Sequence, residues 1–94
     1  MKLLEIVKSK NKNKRYTAIF LVNGKYKKIS FGSSNHLNYL MHKDKERRRL
    51  YRARHQHDNI NNPLSAGALA WYILWGNSTS LNENIKSFKN KFNL

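Results

Sequence analysis

The densest chemistry in the chain lies between His42 and His55, in the string His-Lys-Asp-Lys-Glu-Arg-Arg-Arg-Leu-Tyr-Arg-Ala-Arg-His. Arginine presents a planar fork of donors that suits phosphate oxygens, and five arginines within eight residues display that fork densely. On a helix Lys45, Arg49 and Arg52 share one side, and Lys43, Arg47 and Arg54 lie on the adjoining one, so the segment predicts a basic face. A second cationic group, Lys8, Lys10, Lys12, Lys14 and Arg15, alternates with serine and asparagine, and a third comprises Lys25, Lys27 and Lys28. Alternating lysine and asparagine between strands predicts a flexible, protruding arm that touches phosphate without selecting bases. The bland reading of these groups is a solvated surface laced by pairs such as Asp44 with Arg48 and Glu46 with Arg49.

Other chemistries fit less well. His55 and His57 are two apart and diverge on a helix, while His42 precedes His55 by thirteen residues, so no pair has metal-ligand spacing. There is no cysteine, which excludes disulfides, thiolate metal sites and cysteine nucleophiles. The five acids are scattered singly, whereas a nuclease holding Mg²⁺ needs carboxylates in company, and no glycine-rich phosphate loop exists. We expect no enzyme, no cofactor and no metal. Met41, Asp44, Arg48, Tyr51 and His55 recur at helical intervals on one face. If that face is turned inward, Asp44, Arg48, Tyr51 and His55 form a structural polar network, with Asp44 accepting from Arg48 or Arg47.

Ninety-four residues make one domain, and a net charge of +14 repels itself unless a polyanion shares the load. With 39% apolar residues and eleven aromatics, the chain should nonetheless fold. Nothing approaches the ~20 apolar residues of a membrane span, and the start lacks a signal-peptide cleavage site, so no membrane partner is expected. Thirteen lysines and thirteen asparagines, both with adenine-rich codons, point to an AT-rich genome.

The elements that must position these residues are of the α+β class: a three-stranded antiparallel meander followed by three helices. Residues 1–32 read as strands, with a hairpin at Asn23-Gly24. A three-residue turn there would pair Ile19 with Ile29 and Leu21 with Lys27, gathering Ile19, Leu21, Ile29 and Phe31 on one face. That register leaves Tyr16, Phe20 and Tyr26 beside Lys28 as candidates for base stacking. A basic helix spans 35–57, capped by Ser34 or Asn35, with the stripe Leu37, Leu40, Met41, Tyr51. A helix over 63–75, with Asn62 as cap and Pro63 at its first position, is apolar nearly all round and must be buried, Trp71 with it. Ser80 and Glu83 form a capping box for an amphipathic helix over 80–92.

Phe31-Gly32, His42-Lys43-Asp44, Arg47-Arg48, Tyr51, Arg54-His55, Pro63, Ala66-Gly67, Ile73-Leu74-Trp75, Asn84 and Lys89 to Phe92 together resemble a family of short basic proteins of large nucleocytoplasmic DNA viruses, the mimivirus and phycodnavirus groups. The resemblance runs from about residue 16 onward and implies a viral context, in the virion or the infected host cell interior (cytoplasm or viral factory), with a genome-associated role. The expected partner is nucleic acid, duplex DNA ahead of RNA, for compaction or packaging. The alternative is a minor structural protein of the capsid or core shell that meets acidic faces of other virion proteins. Oligomeric state is not legible in the sequence.

Overall fold

Asn23 and Gly24 adopt φ of 52° and 79° in a computed structural model that describes residues 1–94. These positive values make the two-residue turn that matches the twist of flanking strands. It joins β2 (Lys14–Val22) to β3 (Lys25–Ser33), and β1 (Lys2–Lys8) pairs with the other side of β2, giving an antiparallel sheet in the order β1-β2-β3. The three-residue turn is therefore incorrect: Ala18 faces Ile29, Ile19 faces Lys28 and Phe20 faces Lys27. This register buries Ala18, Phe20 and Phe31 and sends Ile19 and Leu21 to the outer face. Phe31 and Ile29 face inward in either register, so the choice lies between Phe20, with Tyr16, Ala18 and Val22 on its face, and the pair Ile19 and Leu21, and the larger apolar area wins. The stacking expectation falls with it. Phe20 is fully buried and Tyr16 packs on Phe31 at 6.0 Å between centroids, which leaves Tyr26 alone exposed.

In β1 strict alternation would turn Glu5 toward the core beside Leu3. A bulge between Leu3 and Glu5 prevents it: Leu3 opposes Phe20, Glu5 opposes Ile19, and Ile6 then opposes Ala18. One extra residue flips the parity, so the acid goes outward and Ile6 inward.

The expected helix over 35–57 is two pieces. α1 (Tyr39–His42) ends at Lys43, which takes the left-handed conformation with φ 57°, and α2 (Lys45–His55) begins anew. Asp44 is the cause: its carboxylate accepts the Glu46 and Arg47 backbone N–H groups at 2.9 and 3.2 Å, and its own N–H donates to His42 Nδ1 at 3.0 Å. A capped restart is worth more here than a continuous ladder. No residue of α2 is buried, and Leu37 and Met41 of the expected stripe are about half exposed.

The apolar helix also starts later than expected. Asn62 and Pro63 belong to a turn, Ser65 Oγ accepts the Ala68 N–H at 3.0 Å, and α3 (Ala66–Leu69) runs into a π-helical turn (Ala70–Leu74). α4 (Leu81–Phe92) has the expected Ser80 cap. Half of the capping box is rewired, because the Glu83 carboxylate accepts from Ser78 Oγ at 2.6 Å instead of reaching back to Ser80. The core is one cluster in which Leu3, Ala18, Phe20 and Phe31 of the sheet meet Leu69, Ile73, Leu74 and Phe88 of the helices.

Candidate nucleic-acid interface

The β1–β2 connection is a tied-down turn, not a loose arm. Ser9 N–H donates to Arg15 O and Lys14 N–H to Asn11 O, both at 3.0 Å. Ser34 straps it across the sheet end, with its Oγ donating to Lys12 O at 2.6 Å and its N–H to Asn13 O at 3.2 Å. Short asparagine and serine side chains favour such local bonds over extended disorder. Lys8, Lys10, Lys12 and Lys14 are thus held, exposed, on a firm platform. Arg15 differs from them: its guanidinium donates to His36 O at 2.7 Å and Ser34 O at 3.4 Å, so it braces the segment after β3.

Lys25, Lys27 and Lys28 are exposed at the other end of the hairpin. Eight residues separate the Lys14 rung from the Val22 rung, and at ~3.3 Å per residue these clusters stand about 26 Å apart.

The arginines of α2 divide into two groups. Arg48 donates to Gly76 O and Asn77 Oδ1, each at 2.7 Å. Arg52 donates to Trp71 O at 3.2 Å and Trp75 O at 2.9 Å, with its guanidinium 4.0 Å from the Trp71 ring centre. Trp71 lies within the π-turn and Trp75 just after it, among the last carbonyls of the helix, where intrahelical partners run out. Burial, with help from the neighbouring Arg48 charge, pushes Arg52 below the ordinary guanidinium value. Arg49 is spent on Glu46. Arg52 and Arg49 therefore leave the expected phosphate-contact set, and Lys43, Lys45, Arg47 and Arg54 remain exposed.

The expected polar network is not one network. Asp44 is exposed and caps α2, 3.9 Å from Arg47 Nε, while Arg48 turns to the π-turn. Tyr51 lies stacked between His55 at 4.2 Å and Trp75 at 4.1 Å, and His55 Nδ1 pairs with Asp58. The residues share a face, as their spacing requires, but each serves a different partner.

Segment 32–38 and α2 bound a cleft of about 500 Å³ with Trp75 in its wall. A second cleft of about 400 Å³ adjoins it and shares His36, Leu37, Arg54 and Trp75. Lys14 and Arg54 line the larger cleft, and Arg47 and His42 the smaller. Two cationic groups forty residues apart in sequence thus converge on one concavity. Asp58 is the acid in its walls, and His55 holds it. His42 is pushed below the ordinary histidine value by burial first and by Arg47 next, against the opposing pull of Asp44. No group of three histidine, aspartate or glutamate side chains converges to hold a metal ion, and no helix is long and apolar enough to cross a membrane.

Sequence reasoning missed His36, which nothing distinguishes from a surface histidine, and Asn38, which is buried beside the cleft. It also missed Asn84. This buried side chain donates to Ile73 O at 2.9 Å and Ser78 O at 2.8 Å and accepts the Ser78 N–H at 3.1 Å, locking α4 to the π-turn. Its position on the inner stripe, one residue before Ile85 and four before Phe88, was the available signal.

A family model described as a family of unknown function (DUF5754) matches residues 4–55. No curated protein and no solved structure matches the chain.

Proposed function

The chain belongs to this family of unknown function, and from its own surface chemistry we propose a non-enzymatic protein that binds nucleic acid without sequence preference, gripping the phosphates of duplex DNA. One observation carries the reading: Lys14 and Arg54 come from different elements to line one cleft whose acid is already paired. The wider charge distribution supports it. Only five acids stand against nineteen lysines and arginines, and four of the five are engaged locally: Asp44 caps a helix, Glu46 pairs with Arg49, Asp58 with His55, and Glu83 accepts from Ser78. Phosphate contact needs only such exposed cations, whereas base readout needs an element shaped to enter a groove. In the large DNA virus that the sequence resemblance implies, the use is genome compaction or packaging.

The test is the salt dependence of binding to two duplexes of unrelated sequence. Each phosphate contact adds about −0.9 to the slope of log K against log salt, and five to eight contacts put the slope near −5 to −7. The two duplexes should bind alike, and replacing Lys8, Lys10, Lys12 and Lys14 by alanine should flatten the slope by roughly 3 to 4 with little change in melting temperature. A flat salt response of the natural chain refutes the reading.

A second reading, a minor structural protein of a viral shell, draws on the outer face of the sheet. No helix covers that face, and Leu4, Val7 and Tyr26 stand exposed on the strands. Co-purification with capsomers after nuclease treatment favours it.

A further inference from the structure

Asn38 is only 4% exposed, yet its carboxamide has no hydrogen-bond partner in the protein, and Oδ1 is sealed from solvent. It stands just before α1, where asparagine ordinarily turns its side chain back to cap the helix, and here it caps nothing. Burying an amide unpaired is costly, so a group held this way calls for a reason. Four residues on, His42 shows the same condition. Its Nδ1 accepts the Asp44 N–H, which leaves the proton on Nε2, and Nε2 is also buried without a partner. Asn38 lines the larger cleft and His42 the adjoining one.

The remaining walls divide by chemistry. Leu37, Leu74 and Trp75 make an apolar side. The Trp75 ring has Tyr51 stacked on it at 4.1 Å and His42 tilted against it at 5.2 Å, so what it offers the cleft is its edge. A flat ring set against an aromatic edge is a favourable pairing. Lys14 and Arg54 supply positive charge on the same concavity. An apolar slot, the unpaired Asn38 amide NH2 as donor to a base-edge acceptor, and cations are the three recognition elements of a nucleotide: ring, base edge and phosphate.

We propose that this cleft holds one unpaired nucleotide, with the base edge on Asn38, the ring beside Trp75 and the phosphate at Lys14 and Arg54. The cations are those of the nucleic-acid reading and the inference rests on it for the phosphate, whereas Asn38 and Trp75 are its own. A volume of about 500 Å³ lies within the range of small-ligand pockets. The nucleotide could be a base bulged from a strand or a free mononucleotide, and both present this chemistry.

The experiment compares three probes by fluorescence anisotropy and calorimetry: a blunt duplex, the same duplex with a single-nucleotide bulge, and free adenosine and cytidine monophosphates. The natural chain should bind the bulged duplex at least tenfold more tightly than the blunt one. Asn38→Leu, which fills the same space without the amide, should melt no lower than the natural chain, bind blunt duplex equally and lose the tenfold preference. Arg54→Gln, an exposed change, should also weaken capture of the unpaired nucleotide. Binding of the free monophosphates identifies a mononucleotide pocket; preference for the bulge without it identifies a pocket for a base in a strand. Equal affinity for bulged and blunt duplex with no monophosphate binding overturns the pocket and leaves the duplex reading standing. Monophosphate binding without any duplex binding does the reverse.

Discussion

Tyr51 and Trp75 lie face to face, their ring centroids 4.1 Å apart and their planes 3° from parallel. Stacking of this kind adds to area burial and fixes α2 on the end of the π-turn, with His55 closing the column on the other side of Tyr51. The same burial, with the Asp58 charge behind it, pushes the Tyr51 hydroxyl up to about 12.

The pH consequence has a definite sign. The folded chain holds the Tyr51 proton more tightly than the unfolded chain, whose tyrosines titrate near 10, so the contribution is complete below pH 10 and is lost as pH rises through 12. Absorbance titration should show a late-ionising tyrosine in the natural chain that Tyr51→Phe lacks. Denaturation midpoints should fall between pH 10 and 12 in the natural chain and fall less in Tyr51→Phe.

Arg52 and Arg54 sit two residues apart and should behave oppositely. Arg52→Ala strands the Trp71 and Trp75 carbonyls and uncovers the Trp71 ring, which should cost about 1–3 kcal/mol of stability in urea unfolding. Arg54→Ala should stay within about 0.5 kcal/mol of the natural chain while making the DNA salt slope roughly 0.9 less negative. An Arg52→Ala protein of unchanged stability with a flattened slope returns that residue to the phosphate surface.

Asp44→Ala separates a cap from a buried ion. Losing the bonds to the Glu46 and Arg47 N–H groups should cost about 0.5–2 kcal/mol. The larger penalty of a stranded interior arginine, about 3–5 kcal/mol, is not expected, because Arg48 bonds to Gly76 and Asn77 without Asp44. Asp44→Asn and Asp44→Ser should recover most of the loss in the same unfolding experiment.

Asn84→Leu should be among the most damaging single changes. It removes three hydrogen bonds at a site 1% exposed and leaves the Ile73 and Ser78 groups unpaired in the interior, for a loss of about 3 kcal/mol or more by denaturant titration.

What the sequence discloses and what it hides follow a physical line. Asn23-Gly24 and Ser80 with Glu83 were readable because a turn and a cap are decided by residues a few positions apart. The register between β2 and β3 was not, since Phe20 turns inward to meet Leu69, Ile73 and Phe88, which lie about fifty residues or more further along. The break at Lys43 and the division of labour between Arg52 and Arg54 were hidden for a related reason. The first is a competition between cap and ladder at Asp44, and the second depends on a π-turn whose unpaired carbonyls no periodicity announces. For the candidate site, the cations were visible as residue types, while the meeting of Lys14 with Arg54 exists only in the folded chain. Asn38 carries no signal at all, because what distinguishes it is a missing hydrogen bond.

The core lid comes last in the chain, and this orders the birth of the protein. During synthesis the meander can close through two short turns as soon as β3 emerges, since its strand order is its chain order. Its inner face, with Phe20 and Phe31, then waits for Leu69, Ile73, Leu74 and Phe88. The stretch shared with the family, residues 4–55, contains the sheet from Leu4 onward and α2 but none of those four covering side chains. A fragment cut there would expose the apolar side of a three-stranded sheet with both edges open, a form prone to aggregate and marginal in water. The nascent chain leaves the same apolar face uncovered until α4 has been made, an interval in which aggregation competes with folding.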